Sequence, residues 1–176
     1  MKLEGTTIVA VKKDGKTVIA GDGQVTLSEH YILKKNAVKV RRVYNNEVVI
    51  GFAGSTSDAF NLANKLEAQL NKFSGNFMRA CIELANLWRN DKMRNLEAMV
   101  IAANKENLVI LTGNGDVIEP DDNVCAIGSG GNYALAAAKA LIRNTKLSAK
   151  DIAKKALEIA SEICVYTNGH ITVEEA

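Results

Sequence analysis

The feature that most limits what this chain can become is a change of apolar spacing, from the period of a strand to that of a helix and back, twice over. Thr6 to Val11 is β-branched and apolar, Asp14-Gly15 is a hairpin turn signal, and Thr17 to Ala20 resumes the strand character. Val38 to Val43 and Val48 to Phe52 flank Asn45-Asn46, and Met99 to Ala103 and Leu108 to Leu111 flank Glu106-Asn107, which gives two more hairpins. Between them Ala59, Leu62, Ala63, Leu66, Leu70 and Phe73 recur at helical spacing, with Ser55 or Ser57 as N-cap and Gly75 as a stop, and a second helix is expected from Phe77 to Arg89. A short strand at Val124 to Ile127, an Ala-rich helix at Tyr133 to Ile142, a helix opened by Ser148 with Ile152, Ala156, Ile159 and Ile163 on one face, and a strand at Ile171 to Val173 complete the series. Strands, two helices, strands, two helices, with no long polar linker, suit an α+β domain of two sheets packed together and covered by helices on each outer side.

At 176 residues with 47% hydrophobic content, one domain with a sizeable core is expected. The 22 basic and 20 acidic residues nearly cancel and are scattered, apart from Lys39, Arg41 and Arg42, so nucleic acid is not an expected partner. Cys81, Cys125 and Cys164 show no CxxC spacing, which suggests neither a disulfide framework nor a zinc set and fits a reducing cytoplasm. No apolar run is long enough to span a membrane, and Met1 to Gly5 is too short and too acidic for a secretory signal.

Several places could carry chemistry. Gly5-Thr6-Thr7 precedes a strong strand, Asp22 ends the second strand in Gly21-Asp22-Gly23-Gln24, and Lys39 stands where the third begins. Buried together, Asp22 and Lys39 would hold an ammonium near the Thr6 hydroxyl, while a free α-amine at Thr6 could act as base. Taken alone, the same residues read as an ordinary strand, a surface turn and a solvated lysine. Gly51-Phe52-Ala53-Gly54-Ser55 and Gly128-Ser129-Gly130-Gly131 each join a strand to a helix, where unpaired N–H groups suit an oxyanion, a phosphate, or simply a tight turn. The Walker lysine and the full GxGxxG spacing are missing. His30 and His170 stand in no ligand spacing and are assigned to the surface.

In order and spacing, these motifs together with Thr6-Thr7-Ile8-Val9, Lys39-Val40-Arg41-Arg42, Gly51-Phe52-Ala53-Gly54-Ser55-Thr56, Leu96-Glu97-Ala98, Thr112-Gly113-Asn114-Gly115-Asp116 and Ile163-Cys164-Val165-Tyr166-Thr167-Asn168 resemble the HslV family of bacterial peptidases, relatives of proteasome β subunits. The resemblance implies an N-terminal nucleophile hydrolase fold, a four-layer αββα sandwich of two antiparallel sheets covered by helices, with residues 1–5 a propeptide and 6–176 one peptidase domain. It implies Thr6 as nucleophile, Lys39 and Asp22 as its electrostatic neighbours, Ser129 as a supporting hydroxyl and Gly51 as the oxyanion N–H. A sodium ion on the backbone carbonyls of Ser161, Cys164 and Thr167 carries over as well, and a helix exit with Asn168 or Gly169 in a left-handed cap would suit it. The implied partners are copies of the same chain in two stacked hexameric rings, an HslU-type ATPase that opens the chamber allosterically, and unfolded protein substrates; the implied location is the cytoplasm.

The chain departs from the family in three places: it is one residue longer at 28–35, one shorter and less basic at 91–95, and carries Ser161 where glycine is common. Two rivals are a free-standing amidohydrolase of the same fold and a non-catalytic ring subunit. The second is expected to carry a longer N-terminal extension than the five residues before Thr6.

Overall fold

The computed structural model describes residues 3–27, 30–54, 56–90 and 98–176, with 3, 4 and 56–60 described by backbone alone. Ser28, Glu29, Ser55, the segment at 91–95, Leu96 and Glu97 lie outside the described residues. In chain order the elements are β1 (Leu3–Glu4), β2 (Thr7–Lys13), β3 (Lys16–Gly21), β4 (Val25–Leu27), β5 (Tyr31–Lys34), β6 (Val40–Val43), β7 (Val48–Ala53), α1 (Thr56–Lys72), α2 (Phe77–Asn90), β8 (Met99–Ala103), β9 (Leu108–Thr112), β10 (Val117–Ile118), β11 (Val124–Gly128), α3 (Gly131–Asn144), α4 (Ala149–Ile163) and β12 (Thr172–Glu175).

The first hairpin closes as its sequence indicates. Lys13 pairs with Lys16 across Asp14 and Gly15, and both loop residues have positive φ, 52° and 74°, the conformation whose twist matches flanking strands. Helix α1 stops where Gly75, at φ 80°, donates its N–H to the Leu70 carbonyl at 2.8 Å. Ser148 caps α4, its side chain accepting the Asp151 N–H at 3.1 Å.

Two antiparallel sheets, β11-β2-β3-β12 and β10-β9-β8-β7-β6, pack face to face. Period-two alternation assigns each strand's two faces. On β2, Val9 and Val11 meet Ala134, Ile152, Ala156 and Leu157 of α3 and α4, while Ile8 and Ala10 face the other sheet. On β7, Ile50 and Phe52 meet Leu66, Leu70 and Leu84 of α1 and α2, while Val49 and Ala53 turn inward. The result is helices, sheet, sheet, helices. Among the described residues no helix is long and apolar enough to cross a membrane.

Three features differ from the sequence reading. A third, small sheet, β1-β4-β5, stands at the Thr6 end of the sandwich. The buried face of α4 is Ala149, Ile152, Ala153, Ala156, Leu157 and Ala160. Ile159 is exposed because at about 100° per residue it falls just outside that arc, and Ile163, though its angle lies within the arc, is exposed as the last residue of the helix. Finally, α4 ends at Ile163 with Cys164 extended, φ −90° and ψ 117°, so neither Asn168 nor Gly169 forms a left-handed cap.

One close approach positions the start of β2. A Cβ at Gly51 would stand 2.7 Å from Ile8 Cγ2, and one at Gly21 would stand 2.7 Å from Ile8 Cδ1. The Ile8 side chain therefore fills a slot that two glycines leave open between the sheets, two residues after Thr6.

Candidate active site

Five chain segments meet at the N-terminal end of β2: Thr6 and Thr7 themselves, the exit of β3 at Asp22 to Gln24, the residue before β6, the β11–α3 junction and the exit of α4. Asp22 is fully buried and its carboxylate is saturated. Oδ1 accepts from Thr7 N and from Lys39 Nζ, both at 2.8 Å, and Oδ2 accepts from Gln24 N at 2.9 Å and Asn168 N at 3.3 Å. Lys39, 4% exposed, also donates to the Gly5 carbonyl at 2.7 Å and to the Gln24 carbonyl. Burial pulls its pKa below the ordinary lysine value, and the Asp22 carboxylate pushes back against that shift.

Thr6, 9% exposed, donates its hydroxyl to the same Gly5 carbonyl at 2.7 Å. Hydroxyl and ammonium thus converge on one carbonyl oxygen. Gly5 itself has φ +105°, and a Cβ there would meet Thr26 Oγ1 at 3.1 Å and the carbonyls of Gln24 and Tyr166 at 3.2 Å. Only glycine takes up that turn without strain. The Thr6 carbonyl is held from the other side by the Ser129 N–H at 2.9 Å and its hydroxyl at 3.4 Å.

Thr7 adds a second hydroxyl layer. Its Oγ1 accepts the Gly130 N–H at 2.9 Å and lies 2.7 Å from Thr167 Oγ1, tying β2 to the start of α3 and the exit of α4. A Cβ on Gly130 would collide with both hydroxyls. Thr7 and Gln24 are structural parts of the site for which the sequence indicates no role of their own, although they stand within two residues of Thr6 and Asp22, and Asn168, considered in the sequence only as a helix cap, is another.

Gly51 is the exception among the expected site residues. It lies inside β7, paired with Val40 on one side and Ile101 on the other, with Ile8 and Ile19 packed against its Cα. An N–H in that ladder does not face a substrate. The end of the same strand does reach the site: the position of a Cβ on Gly128, which would collide with the Thr6 carbonyl, is 3.4 Å from Ala53 Cβ, and the exposed Gly54 follows directly. Any oxyanion donor from this strand is therefore at its C-terminal end.

Among the described residues no group of three or more His, Cys, Asp or Glu could hold a metal ion. The exit of α4 offers carbonyls instead. Ile163 is its last helical residue, so the Ser161 carbonyl has no amide one turn further on within the helix. The Cys164 carbonyl accepts the Thr167 N–H at 3.0 Å, and a carbonyl oxygen has a second lone pair with which it can face a cation. This donor chemistry fits a hard monovalent ion. The three cysteines are buried and unpaired, and burial pushes the Cys81 and Cys125 thiols up to about 12, so neither competes as a nucleophile. His30 and His170 are both exposed. A cavity of about 610 Å³ lined by Arg42, Tyr44, Lys105 and Glu175 sits at the opposite end of the sandwich and contains none of these groups.

The proteasome subunit family model matches residues 3–176. The chain is 60% identical over 171 residues to the ATP-dependent protease subunit HslV of Caldicellulosiruptor saccharolyticus, covering 97% of each. It is 58% identical over 178 residues to the protein of the same name from Listeria innocua, covering 99% of each. The crystal structure of eukaryotic HslV from Trypanosoma brucei superposes with a TM-score of 0.91 at 46% identity, covering 96% of this chain and 98% of that one. With the αββα sandwich and the Thr6, Asp22 and Lys39 cluster, these likenesses establish that the chain belongs to the proteasome subunit family, among its HslV-type members.

Proposed function

We propose that the chain is the proteolytic subunit of a proteasome-like, ATP-dependent degradation complex, and that it hydrolyses peptide bonds of unfolded proteins with Thr6 as an N-terminal threonine nucleophile. The observation that carries this reading is the convergence of the Thr6 hydroxyl and the Lys39 ammonium, each 2.7 Å away, on the carbonyl of Gly5. That carbonyl belongs to the bond whose cleavage would free the Thr6 amine. Its oxygen is within hydrogen-bond reach of both a hydroxyl and a positive charge, the two groups that acyl transfer at a carbonyl needs close by.

Removal of residues 1–5 converts the Thr6 nitrogen from an amide, which is not basic, into an amine. In the mature form Thr6 Oγ attacks the substrate carbonyl carbon and its proton passes to that amine. Lys39 lowers the proton affinity of the hydroxyl, and Asp22 holds Lys39 in place. The oxyanion is received by an N–H at the β7–α1 junction, at Gly54 rather than Gly51. The protonated amine then gives its proton to the leaving nitrogen, the C–N bond breaks, and an acyl ester remains on Thr6. Water, deprotonated by the same amine, splits the ester and restores the hydroxyl. Ser129 steadies the Thr6 carbonyl throughout.

The relatives' names carry ATP dependence, and this sequence has no Walker motif, so the nucleotide belongs to a separate HslU-type ATPase that unfolds substrates and favours the active arrangement. The site works inside a chamber of two stacked hexameric rings of this chain in the cytoplasm. A sodium ion on the carbonyls of Ser161, Cys164 and Thr167 would neutralise the negative end of α4. Thr167 and Asn168, in that same turn, are the residues that touch Thr7 and Asp22.

Two measurements test the reading. The intact mass of the active form should lack residues 1–5, and Thr6→Ala should assemble yet lose peptidase activity by several orders of magnitude. Peptidase activity retained in a clean Thr6→Ala preparation refutes it.

A further inference from the structure

We propose that Asn168 is a positioning residue for the Lys39–Asp22 pair: its side-chain amide fastens the 35–39 segment to the exit of β3 and so sets where the ammonium stands relative to Thr6. The inference rests on the proteolytic role of Lys39 proposed above.

Lys39 is the last of five residues, 35–39, that belong to neither β5 nor β6. Irregular backbone is placed by its individual ties, and here they converge on Gly23. The Ala37 N–H donates to the Gly23 carbonyl at 2.9 Å, and a Cβ on Gly23 would stand 3.0 Å from Asn36 Cα. Asn168 supplies the clamp across this approach. Its Nδ2 donates to the Lys35 carbonyl at 2.9 Å, and its Oδ1 accepts from Gly23 N at 3.2 Å and His170 N at 3.1 Å. Its backbone N–H donates to Asp22 Oδ2 at 3.3 Å. One half-buried residue therefore holds the chain on both sides of the pair, next to Asp22 and four positions before Lys39.

Only a short amide can do this. Two N–H donors face one end of the side chain and a carbonyl oxygen faces the other, so the group must accept and donate at once. Aspartate would keep the bonds from Gly23 and His170 but set oxygen against the Lys35 carbonyl, and alanine would lose all three. The hydrogen bonds of Asn168 go to Lys35, Gly23, His170 and Asp22, so its influence on the site runs through the placement of Lys39 and its partner. A displacement of about 1 Å at a catalytic group costs on the order of 100-fold in rate.

The test uses the full, assembled chain with Asn168→Ala and Asn168→Asp, read by hydrolysis of a small fluorogenic peptide and by amide exchange. Both variants are expected to assemble, with kcat reduced about 10- to 100-fold and KM within about twofold of the parent. Amide exchange should quicken at 35–38 and stay slow in β2 and β3. Parent-like kcat in both variants overturns the proposal. So does faster exchange throughout the sandwich, a KM that rises in step with the loss of kcat, or failure of both variants to assemble, each of which would make Asn168 part of the general scaffold. Parent-like rates in the Asn168 variants leave the proteolytic assignment standing, whereas activity in Thr6→Ala removes that assignment itself.

Discussion

Lys39 Nζ lies 2.8 Å from Asp22 Oδ1 with the two side chains 5% and 0% exposed, yet the two partners depend on the pair to different degrees. Without the ammonium, the Asp22 carboxylate keeps three backbone N–H donors, from Thr7, Gln24 and Asn168. Without the carboxylate, those three N–H groups lose their acceptor and the buried ammonium, still bonded to the carbonyls of Gly5 and Gln24, loses its counter-ion.

Lys39→Met should therefore fold, assemble and lose turnover, with a stability loss of about 1–3 kcal/mol. Asp22→Ala should cost about 3–5 kcal/mol, because it leaves a buried charge without its counter-ion. Denaturant midpoints that place Lys39→Met below Asp22→Ala would contradict this ordering.

The leader should be removed slowly when Gly5 is replaced. Alanine at φ +105° is strained, and its Cβ would press on Thr26 Oγ1 at 3.1 Å and on two carbonyls, moving the Gly5 carbonyl away from Lys39 and the Thr6 hydroxyl. Mass spectra of Gly5→Ala taken through expression should show the uncut chain persisting. Removal at the parent rate would mean that this carbonyl is not what the site acts on.

The pH dependence has opposite signs for activity and stability. Burial lowers the Lys39 pKa below its usual 10.5, so the folded protein gives up this proton at lower pH than the unfolded chain does. Between those two values the unfolded state binds more protons, and this group's contribution to stability grows as pH rises toward 10.5. The proposed mechanism needs the ammonium, so activity should fall through the same window. An alkaline limb of kcat below pH 10.5 that disappears in Lys39→Arg, measured beside thermal midpoints, checks both signs.

Replacing sodium and potassium by a bulky organic cation should lower peptidase activity reversibly while sedimentation shows the oligomer unchanged. An organic cation cannot fit among carbonyls at a helix end, and the turn that carries Thr167 and Asn168 would lose its support. Unchanged activity in that buffer would remove the cation from the picture.

The hairpins and helices are legible in the sequence because their signals are local: Asp14-Gly15 needs only its neighbours to turn, and Gly75 ends α1 through a bond to Leu70. The sheet β1-β4-β5 is not, since β4 has three residues and the β5 run Tyr-Ile-Leu-Lys is exposed along its whole length, so neither alternation nor burial marks it. Asp22 and Lys39 are recognisable as residue types, but the exit of β3 and the entrance of β6 bring them together. Gly51 and Gly54 look alike in sequence. Which of them reaches the site depends on how β7 pairs with β6 and β8 and where its ladder ends, and that is a property of three strands at once.

The slot that Gly21 and Gly51 leave for Ile8 makes the spacing of the two sheets a setting of the active site. Ile8 is two residues from Thr6, the proposed nucleophile, and a methyl group at position 51 would press on Ile8 Cγ2 from 2.7 Å and on Ile19 Cγ2 from 3.0 Å. A packed interior yields little to such an intrusion, so the strand would shift as a body and carry Thr6 with it. Position 51 thus acts as a shim: it touches no substrate, yet a change of one carbon in its thickness would be felt at the hydroxyl.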